Sequence, residues 1–356
     1  MLSDQATLND SANSTDCFYS PADFLTEKFA LITVFGTAVS VIGILNNALL
    51  VHLLTRRSLI GSHIFFLAVL AGCDIVVEIS YILLMSAQIL YDYAQNLSLY
   101  YAWNNYLRPV FAISHVSMTV STYMIVAASA ERYVASTTWM KRSCLPMDRL
   151  LAIMVIVIFA VLSKGMVYWE LEVVHNPNCT GFEAYHVRTS ALAAHPGPYK
   201  YAYMLWFRHM AHIFIPFALL ICLNVGILMR LQKTPVEAQS ALLEATMGDM
   251  AKQRKKTVRA ATRMLIAMVT TYLISNLLNV IITIWEHLDM ASLRDQERFY
   301  AFSADTVSLL TVVTGAVRLP IYCACNKQLR QDLNYLLNKR LCETGLVKIE
   351  KQEEVC

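Results

Sequence analysis

Seven apolar segments divide the chain, and each is long enough to cross a lipid bilayer as a helix. They cover residues 29–54, 62–90, 105–135, 147–170, 200–231, 257–288 and 300–325, whereas a spanning helix needs only ~20 residues. A short amphipathic stretch, "NKQLRQDLNYLL", follows the last segment. The sequence therefore predicts an all-α membrane protein, a seven-transmembrane helix bundle with a short amphipathic helix after span seven.

The composition agrees with a chain that is solvated mostly by lipid. Hydrophobic residues make up 56% of the chain and charged residues 15%, whereas soluble domains carry about a quarter charged residues. The net charge of +3 is too small to indicate a nucleic-acid partner. We expect the protein to be embedded in the lipid membrane and to bind no nucleic acid.

Basic residues give the orientation of the spans. Lys and Arg follow spans one and seven and concentrate between spans three and four and before span six. Since cytoplasmic loops carry the excess of Lys and Arg, we expect the N-terminus outside and the C-terminus in the cytoplasm. The chain then divides into an extracellular tail (1–28), a seven-transmembrane domain (29–325) and a cytoplasmic amphipathic helix and tail (326–356).

Glycosylation motifs fall on the outer face of this topology. The N-x-S/T pattern occurs at Asn9, Asn13, Asn96 and Asn178, and it marks an N-glycan acceptor in a surface loop of an exported chain. Asn96 lies close to the membrane. We therefore expect glycosylation at Asn9, Asn13 and Asn178.

Local motifs narrow the class of membrane protein. Span one carries Asn46-Asn47, span two carries "LAGCD" ending in Asp74, span three ends in "SAERYVAS", span five contains Pro216, and span seven ends in "RLPIY". In this order the motifs resemble the rhodopsin-like (class A) G-protein-coupled receptors across all seven spans. The stretches "AASAERYVAS", "YWELE" and "LPIYCACNKQLRQDL" are similar to invertebrate FMRFamide-type neuropeptide receptors.

The resemblance implies a function. It implies a plasma-membrane receptor that binds an extracellular ligand, most simply an FMRFamide-like peptide, and signals through a heterotrimeric G protein. We expect no enzyme activity and no cofactor, because the sequence carries no metal-ligand spacing, nucleophile motif or phosphate-binding glycine loop.

Some positions depart from the family's pattern. Ser275, Asn276 and Leu278 stand where span six usually has Cys, Trp and Pro, and without the proline a straighter helix is expected. Leu107 replaces the cysteine at the outer start of span three. The family's usual bridge to Cys179 cannot form, so Cys179 either pairs with Cys17 or stays free.

The resemblance also assigns residues to G-protein coupling. They are Glu131, Arg132, Tyr133, Lys255, Lys256, Arg259, Arg263 and Tyr322. In this interpretation Glu131 holds Arg132 in the resting state and Arg132 meets the G protein. The plain alternative is a charged pair at a helix end and ordinary positive-inside anchoring.

A core polar pocket is expected at Asn47, Asp74 and Arg318. In the family, the residue equivalent to Asp74 binds a sodium ion, and Arg318 stands where an asparagine would touch that site. Intramembrane charges usually pair, so we expect Arg318 to neutralise Asp74 and replace the ion. The alternative is that Arg318 extends to the lipid headgroups.

Polar and aromatic residues of the outer halves of the spans are ligand candidates, although packing alone could explain each of them. They are Glu78, Tyr81, Ser114, His115, Met118, Glu170, Arg208, His212, Asn279, Thr283, Glu286, Tyr300 and Asp305. An Arg-Phe-amide peptide would need a carboxylate for its guanidinium and an apolar slot for its ring. Glu78, Glu170 and Glu286 are the expected carboxylates.

Two other functions fit parts of the pattern. One is a chemosensory or small-molecule receptor of the same fold. The other is an ion-coupled transporter or pump that uses Asp74, Glu78, Lys164, Arg208 and Arg318 as a relay. Inverted repeats and broken helices typify transporters, and the sequence shows neither.

Overall fold

Long helices account for most of the computed structural model, which describes residues 17, 19, 21, 23–55, 65–135, 146–233, 249–289, 292 and 296–343. The elements are α1 (Leu25–Thr55), α2 (Phe65–Ala94), α3 (Leu97–Ala135), α4 (Pro146–Lys164), α5 (Tyr199–Met229), α6 (Asp249–Leu288), α7 (Arg298–Cys325) and α8 (Lys327–Glu343). Within this described part, seven helices are long and apolar enough to cross a membrane. The predicted fold class, including the helix after span seven, is confirmed.

The distribution of apolar side chains shows which faces lie against lipid. Leu45, Leu162 and Ile274 are 65%, 72% and 68% exposed, although each lies within an apolar helix. Leu50 and Leu70 are fully buried in the bundle. Large apolar residues on the outside of a helical bundle are expected where the solvent is hydrocarbon, so the chain is a multi-pass membrane protein.

A β-hairpin, which the sequence reading did not predict, connects α4 to α5. Strand β1 (Leu171–His175) pairs antiparallel with β2 (Tyr185–Thr189), and Val173 lies opposite Val187. Both strands are five residues long, and β-branched or aromatic residues favour this conformation. The hairpin covers one end of the bundle, which we call the hairpin end.

Helix α7 is broken at Val317 into Glu297–Ala316 and Arg318–Cys325. Pro320 explains the break, because it has no N–H to donate to the carbonyl four residues earlier and its ring clashes with that carbonyl. The side-chain amide of Asn46 donates to the Ala316 oxygen (2.9 Å), and that of Asn47 donates to the Gly315 oxygen (3.2 Å). Helix α1 therefore satisfies backbone carbonyls at the break.

Helix α3 begins earlier than predicted, at Leu97 and not near residue 105. Asn104, Arg108 and Pro109 interrupt the apolar pattern there, but they do not end the helix. Asn104 donates to the carbonyl of Tyr100 one turn earlier (2.9 Å). Since a side chain can satisfy itself locally in this way, polarity alone was a poor guide to the start of α3.

Candidate functional site

Asp74 and Arg318 form an ion pair in the core of the bundle. Arg318 Nη1 lies 2.7 Å from Asp74 Oδ2, and both residues are 5% exposed. The Ser121 hydroxyl donates to the other oxygen of Asp74 (3.0 Å), and Arg318 Nη2 donates to Ser121 Oγ (3.5 Å). The guanidinium therefore points into the bundle, towards α2 and α3, and not to the headgroups.

Glu78 lies one turn from Asp74 and is enclosed by α1, α2 and α7. It is 1% exposed, and the Asn47 amide donates to its Oε1 (3.0 Å). A Cβ atom added at Gly43 would lie 2.2 Å from this oxygen, and one at Gly315 would lie 2.6 Å from it. The two glycines therefore leave the space that the carboxyl group fills.

Glu78 and Tyr81, both expected among the ligand candidates, are buried against α1. Tyr81 is 5% exposed, its hydroxyl donates to the carbonyl of Ile32 (3.4 Å), and its ring occupies the space beside Gly36. Both residues pack against α1, because the face of α2 that carries them meets that helix. Neither side chain is exposed to a cavity that a ligand could enter without displacing α1.

At the end of α3 opposite the hairpin end, Glu131 pairs with Arg149 of α4 and not with Arg132. Arg149 Nη2 lies 2.5 Å from Glu131 Oε1, and Arg149 Nε donates to the same oxygen (3.1 Å). Within the described residues, Arg132 forms no ion pair. Adjacent residues on a helix do not face each other, which explains why the expected Glu131–Arg132 contact is absent from the described part.

The other residues expected in coupling occupy different environments. Tyr133 packs on α5, where a Cβ atom at Gly226 would lie 2.7 Å from its ring. Arg263 is exposed, and Tyr322 is 1% exposed in the apolar core. The side chains of Lys255, Lys256 and Arg259 lie outside the described part of the structure.

Four ligand candidates meet where α3, α4 and α5 approach the hairpin end. Arg208 Nη1 lies 2.6 Å from Glu170 Oε2, and the hydroxyl of Tyr199 donates to Glu170 Oε1 (2.9 Å). His212 Nδ1 lies 3.4 Å from Thr119 Oγ1, and Lys164 and Arg208 are near enough to His115 and His212 for electrostatic interaction. Polar contacts therefore group these ligand candidates into one cluster.

A second set of candidates lies on α6 and α7. The Tyr300 hydroxyl donates to Glu286 Oε1 (2.9 Å), and Asp305 pairs with Lys28 of α1 (3.4 Å). Thr283 and Ser114 are buried, while Met118 and Asn279 are half-buried. Asp305 is therefore compensated within the chain, whereas within the described residues no cation pairs with Glu286.

The segment before α1 crosses the hairpin end. Cys17 forms a disulfide with Cys179, the Tyr19 hydroxyl donates to Asp92 of α2, and the Phe24 ring lies 5.7 Å from that of Phe302 on α7. Burial, followed by the Asp92 hydrogen bond, raises the pKa of the Tyr19 phenol, so it remains a donor. We call Cys17 and the described residues up to Phe24 the N-terminal strap.

Of the four glycosylation motifs, those at Asn96 and Asn178 fall within the described residues. Asn178 is exposed beside the disulfide-bonded Cys179, and so is Asn96 between α2 and α3. Asn9 and Asn13 lie outside the described residues. The side chain of Asn178 is therefore accessible at the hairpin end.

The disulfide should contribute measurably to stability. It closes a loop with a sequence separation of 162 residues, for which the chain-entropy model gives roughly 5 kcal/mol. We expect Cys17→Ser to lower the melting temperature of the purified protein, whereas the matched variant Cys222→Ser, which removes an exposed free thiol, should leave it unchanged. Non-reducing peptide mapping should recover the linked Cys17 and Cys179 peptides, and alkylation of both thiols would contradict the bridge.

Helix α6 is continuous from Asp249 to Leu288, in line with the absence of a proline at Leu278. Polar contacts form at Ser275, which departs from the rhodopsin-like pattern, and at the nearby Tyr272. The Thr314 hydroxyl of α7 donates to Ser275 Oγ (2.6 Å), and the hydroxyls of Tyr272 and Thr122 lie 3.1 Å apart. Hydrogen bonds therefore connect α6 to α7 and to α3.

A cleft of about 670 Å³ lies at the hairpin end, outside these clusters. Arg108, Trp169, Glu172 and Leu192 contribute to its lining. The Arg108 guanidinium stacks on the Tyr168 ring at 4.4 Å and donates to the carbonyl of the same residue (3.2 Å). None of the ligand candidates lines this cleft, so its size alone does not identify it as the ligand site.

A bundle of seven membrane helices with a charged motif at one end of α3 defines the class of G-protein-coupled receptors. The chain belongs to the serpentine type 7TM GPCR chemoreceptor Srw family, whose model matches residues 34–339. It is also similar to the FMRFamide receptor of Drosophila melanogaster, with 25% identity over 324 residues and 88% of this chain covered. The match spans only about half (55%) of that receptor's length.

Sequence reasoning missed several partners in these clusters. Neither Arg149, near the start of the predicted span four, nor Lys28, the last residue of the predicted tail, was singled out from the sequence. Their ion pairs with Glu131 and Asp305 join residues from different helices. The sequence offered one signal for these pairs: the two opposite charges of each pair are expected at the same end of the bundle.

Proposed function

We propose that this chain is a rhodopsin-like receptor of the plasma membrane that binds an extracellular ligand and activates a heterotrimeric G protein. The observation that carries the proposal is the family match, which covers α2 to α7 completely and most of α1 and α8. The geometry at the inner end of α3 supports the proposal. Glu131 is already paired with Arg149, so the Arg132 guanidinium has no ion-pair partner among the described residues. Arg132 would then contact the G protein.

The hairpin end is proposed to face the outside, with the C-terminus in the cytoplasm. Disulfides persist in oxidising compartments, and the Cys17–Cys179 bridge lies at this end. The exposed Asn178 of the sequon Asn178-Cys-Thr lies beside it. Both features support the orientation expected from the basic loops.

An FMRFamide-like neuropeptide is the proposed ligand, by analogy with the FMRFamide receptor that the chain resembles. Glu286 is the candidate partner for the guanidinium of such a peptide. Glu170 and Asp305 are already paired with Arg208 and Lys28, whereas Glu286 accepts one hydrogen bond from a neutral tyrosine. A charge-assisted pair at Glu286 would satisfy both groups.

A chemosensory receptor for a small molecule is the second candidate. The family description names chemoreceptors, and the N-terminal strap narrows access from the hairpin end through its contacts with Cys179, Asp92 and Phe302. A small ligand passes such a cover more readily than a folded peptide does.

A screen of nucleotide exchange should separate these candidates. We expect amidated Arg-Phe peptides to stimulate exchange on a co-expressed G protein, and Glu286→Gln to weaken that response. Glu172→Gln, which alters an exposed carboxylate paired with Arg188 at the hairpin end, is the matched control and should respond normally. Stimulation by small molecules alone would establish the chemosensory candidate, and ion flux without nucleotide exchange would contradict the receptor proposal.

A further inference from the structure

Two basic residues and two histidines from α3, α4 and α5 lie together near the hairpin end. We call His115, Lys164, Arg208 and His212 the cationic cluster. Lys164 and Arg208 interact electrostatically with each other and with both histidines. Among the described groups that interact with this cluster, Glu170 is the carboxylate.

Lys164 lies on the face of α4 that packs into the bundle. Ala160, one turn before it, is 0% exposed and Val167 is 3% exposed, whereas Leu162 on the opposite face is 72% exposed. Residues four positions apart share a helix face. The half-buried Lys164 ammonium therefore belongs to the bundle interior and not to the lipid surface.

The carboxylate of Glu170 does not compensate Lys164. Its Oε2 pairs with Arg208 (2.6 Å) and its Oε1 accepts from Tyr199 (2.9 Å). Within the described part of the chain, Lys164 has neither an ion pair nor a hydrogen bond. Counting the histidines as neutral, the cluster and Glu170 carry one uncompensated positive charge, which is costly at membrane depth.

The same region contains a further unsatisfied group and an aromatic lining. His212 Nε2 is buried with no hydrogen-bond partner among the described residues. The rings of Phe159 and His212 stack at 5.8 Å, and those of Phe111 and His115 meet edge-on at 4.5 Å. An unpaired cation and two phenyl rings match a carboxylate attached to an apolar or aromatic group.

We propose that the cationic cluster binds a carboxylate of the ligand, with Lys164 as its main counter-ion. This inference rests on the proposed receptor function and narrows the ligand to acids. The carboxylate belongs to an acidic peptide or to a small aromatic acid. In a peptide that also carries a guanidinium, Glu286 and Lys164 would bind opposite charges.

Two matched pairs of probes test this proposal on the full chain in lipid nanodiscs. One pair is N-acetylphenylalanine and its neutral amide, and the other is an amidated Asp-Phe-Met-Arg-Phe peptide and its Asn-Phe-Met-Arg-Phe counterpart. Binding is measured from the rise in melting temperature with probe concentration. We expect the acidic member of at least one pair to bind about tenfold or more tightly than its neutral partner, because hydrogen bonds to charged groups are the stronger ones.

Variants assign the preference to Lys164. Lys164→Gln should abolish it, and Lys164→Arg should retain it. Lys200→Gln, which removes a lysine that donates to the Ala194 carbonyl on the same end of the bundle, is the control and should bind as the wild type does. An acid preference in the first pair identifies a small acid, and a preference confined to the second pair identifies an acidic peptide.

Equal binding of acid and neutral probes in both pairs would overturn the proposal, as would a preference that survives in Lys164→Gln. The comparison of probes on the wild-type protein does not depend on any variant folding. Because it involves no G protein, failure here leaves the nucleotide-exchange test of the receptor function untouched.

Discussion

Replacing Arg318 by asparagine is expected to destabilise the protein by about 3–5 kcal/mol, and replacing Asp74 by asparagine should have an effect of similar size. Each change leaves one charge of a buried pair (2.7 Å) without its partner. The double variant buries two amides and no orphan ion. It should recover part of the loss, which corresponds to a coupling energy of about 1 kcal/mol or more.

Thermal unfolding of the wild type, both single variants and the double variant in one detergent measures this coupling. Arg188→Asn is the matched control, since its ion pair with Glu172 is 60% and 45% exposed at the two side chains and exposed pairs contribute little. Simple additivity of the two core substitutions would show that the pair does not act as a unit.

The ion pair also bears on cation sensitivity. Because the Arg318 guanidinium already neutralises Asp74, sodium should have no specific effect on agonist affinity in the wild type. Arg318→Asn restores the family's residue and frees the carboxylate, so sodium sensitivity is expected in that variant. Lowering of wild-type affinity by sodium, and not by a bulkier monovalent cation, would contradict the replacement of the ion by Arg318.

Signalling is expected to be lost when Arg132 is replaced by alanine. Arg132 lies at the end of α3 opposite the hairpin end and forms no ion pair within the described residues, so its removal should leave folding and surface expression largely intact. Agonist-driven nucleotide exchange on the G protein should fall to background. Undiminished exchange in a well-expressed Arg132→Ala variant would remove the basis for the proposed coupling mechanism.

The comparison variant is Arg149→Gln, which removes the partner of Glu131 in place of the coupling residue. Glu131 then loses its ion-pair partner, while Arg132 is unchanged. We expect this variant to retain agonist-driven exchange with altered basal activity, in contrast to Arg132→Ala. Equal loss in both variants would indicate that this end of α3 only has a structural role.

The sequence predicted the contacts that follow from depth in the membrane, and it was weaker on those that depend on side-chain direction. Asp74 and Arg318 were expected to pair because both are intramembrane charges, and the structure pairs them. Glu78 was expected only as a ligand candidate, since its enclosure by Gly43 and Gly315 depends on how closely α1 and α7 approach. The space left by the missing Cβ of a glycine leaves no pattern in hydropathy.

The end of α3 that carries Glu131 also shows that side-chain direction was hard to predict from the sequence. Glu131 and Arg132 are adjacent in sequence, but their side chains leave the helix about 100° apart, so the partner of Glu131 comes from α4. The hairpin of Val173 and Val187 was missed because its two strands are short and lie between long apolar spans. Periodicity over five residues carries too little information to distinguish such strands from a loop.

The break at Pro320 has a mechanical consequence. The amides of Asn46 and Asn47 hold the carbonyls of Ala316 and Gly315, so the point at which α7 can bend is fastened to α1. Bending there must either carry α1 along or break two hydrogen bonds in a region without water to replace them. The direction of the segment Arg318–Cys325 is therefore coupled to α1, and it can change only if α1 moves with it or if both hydrogen bonds are lost.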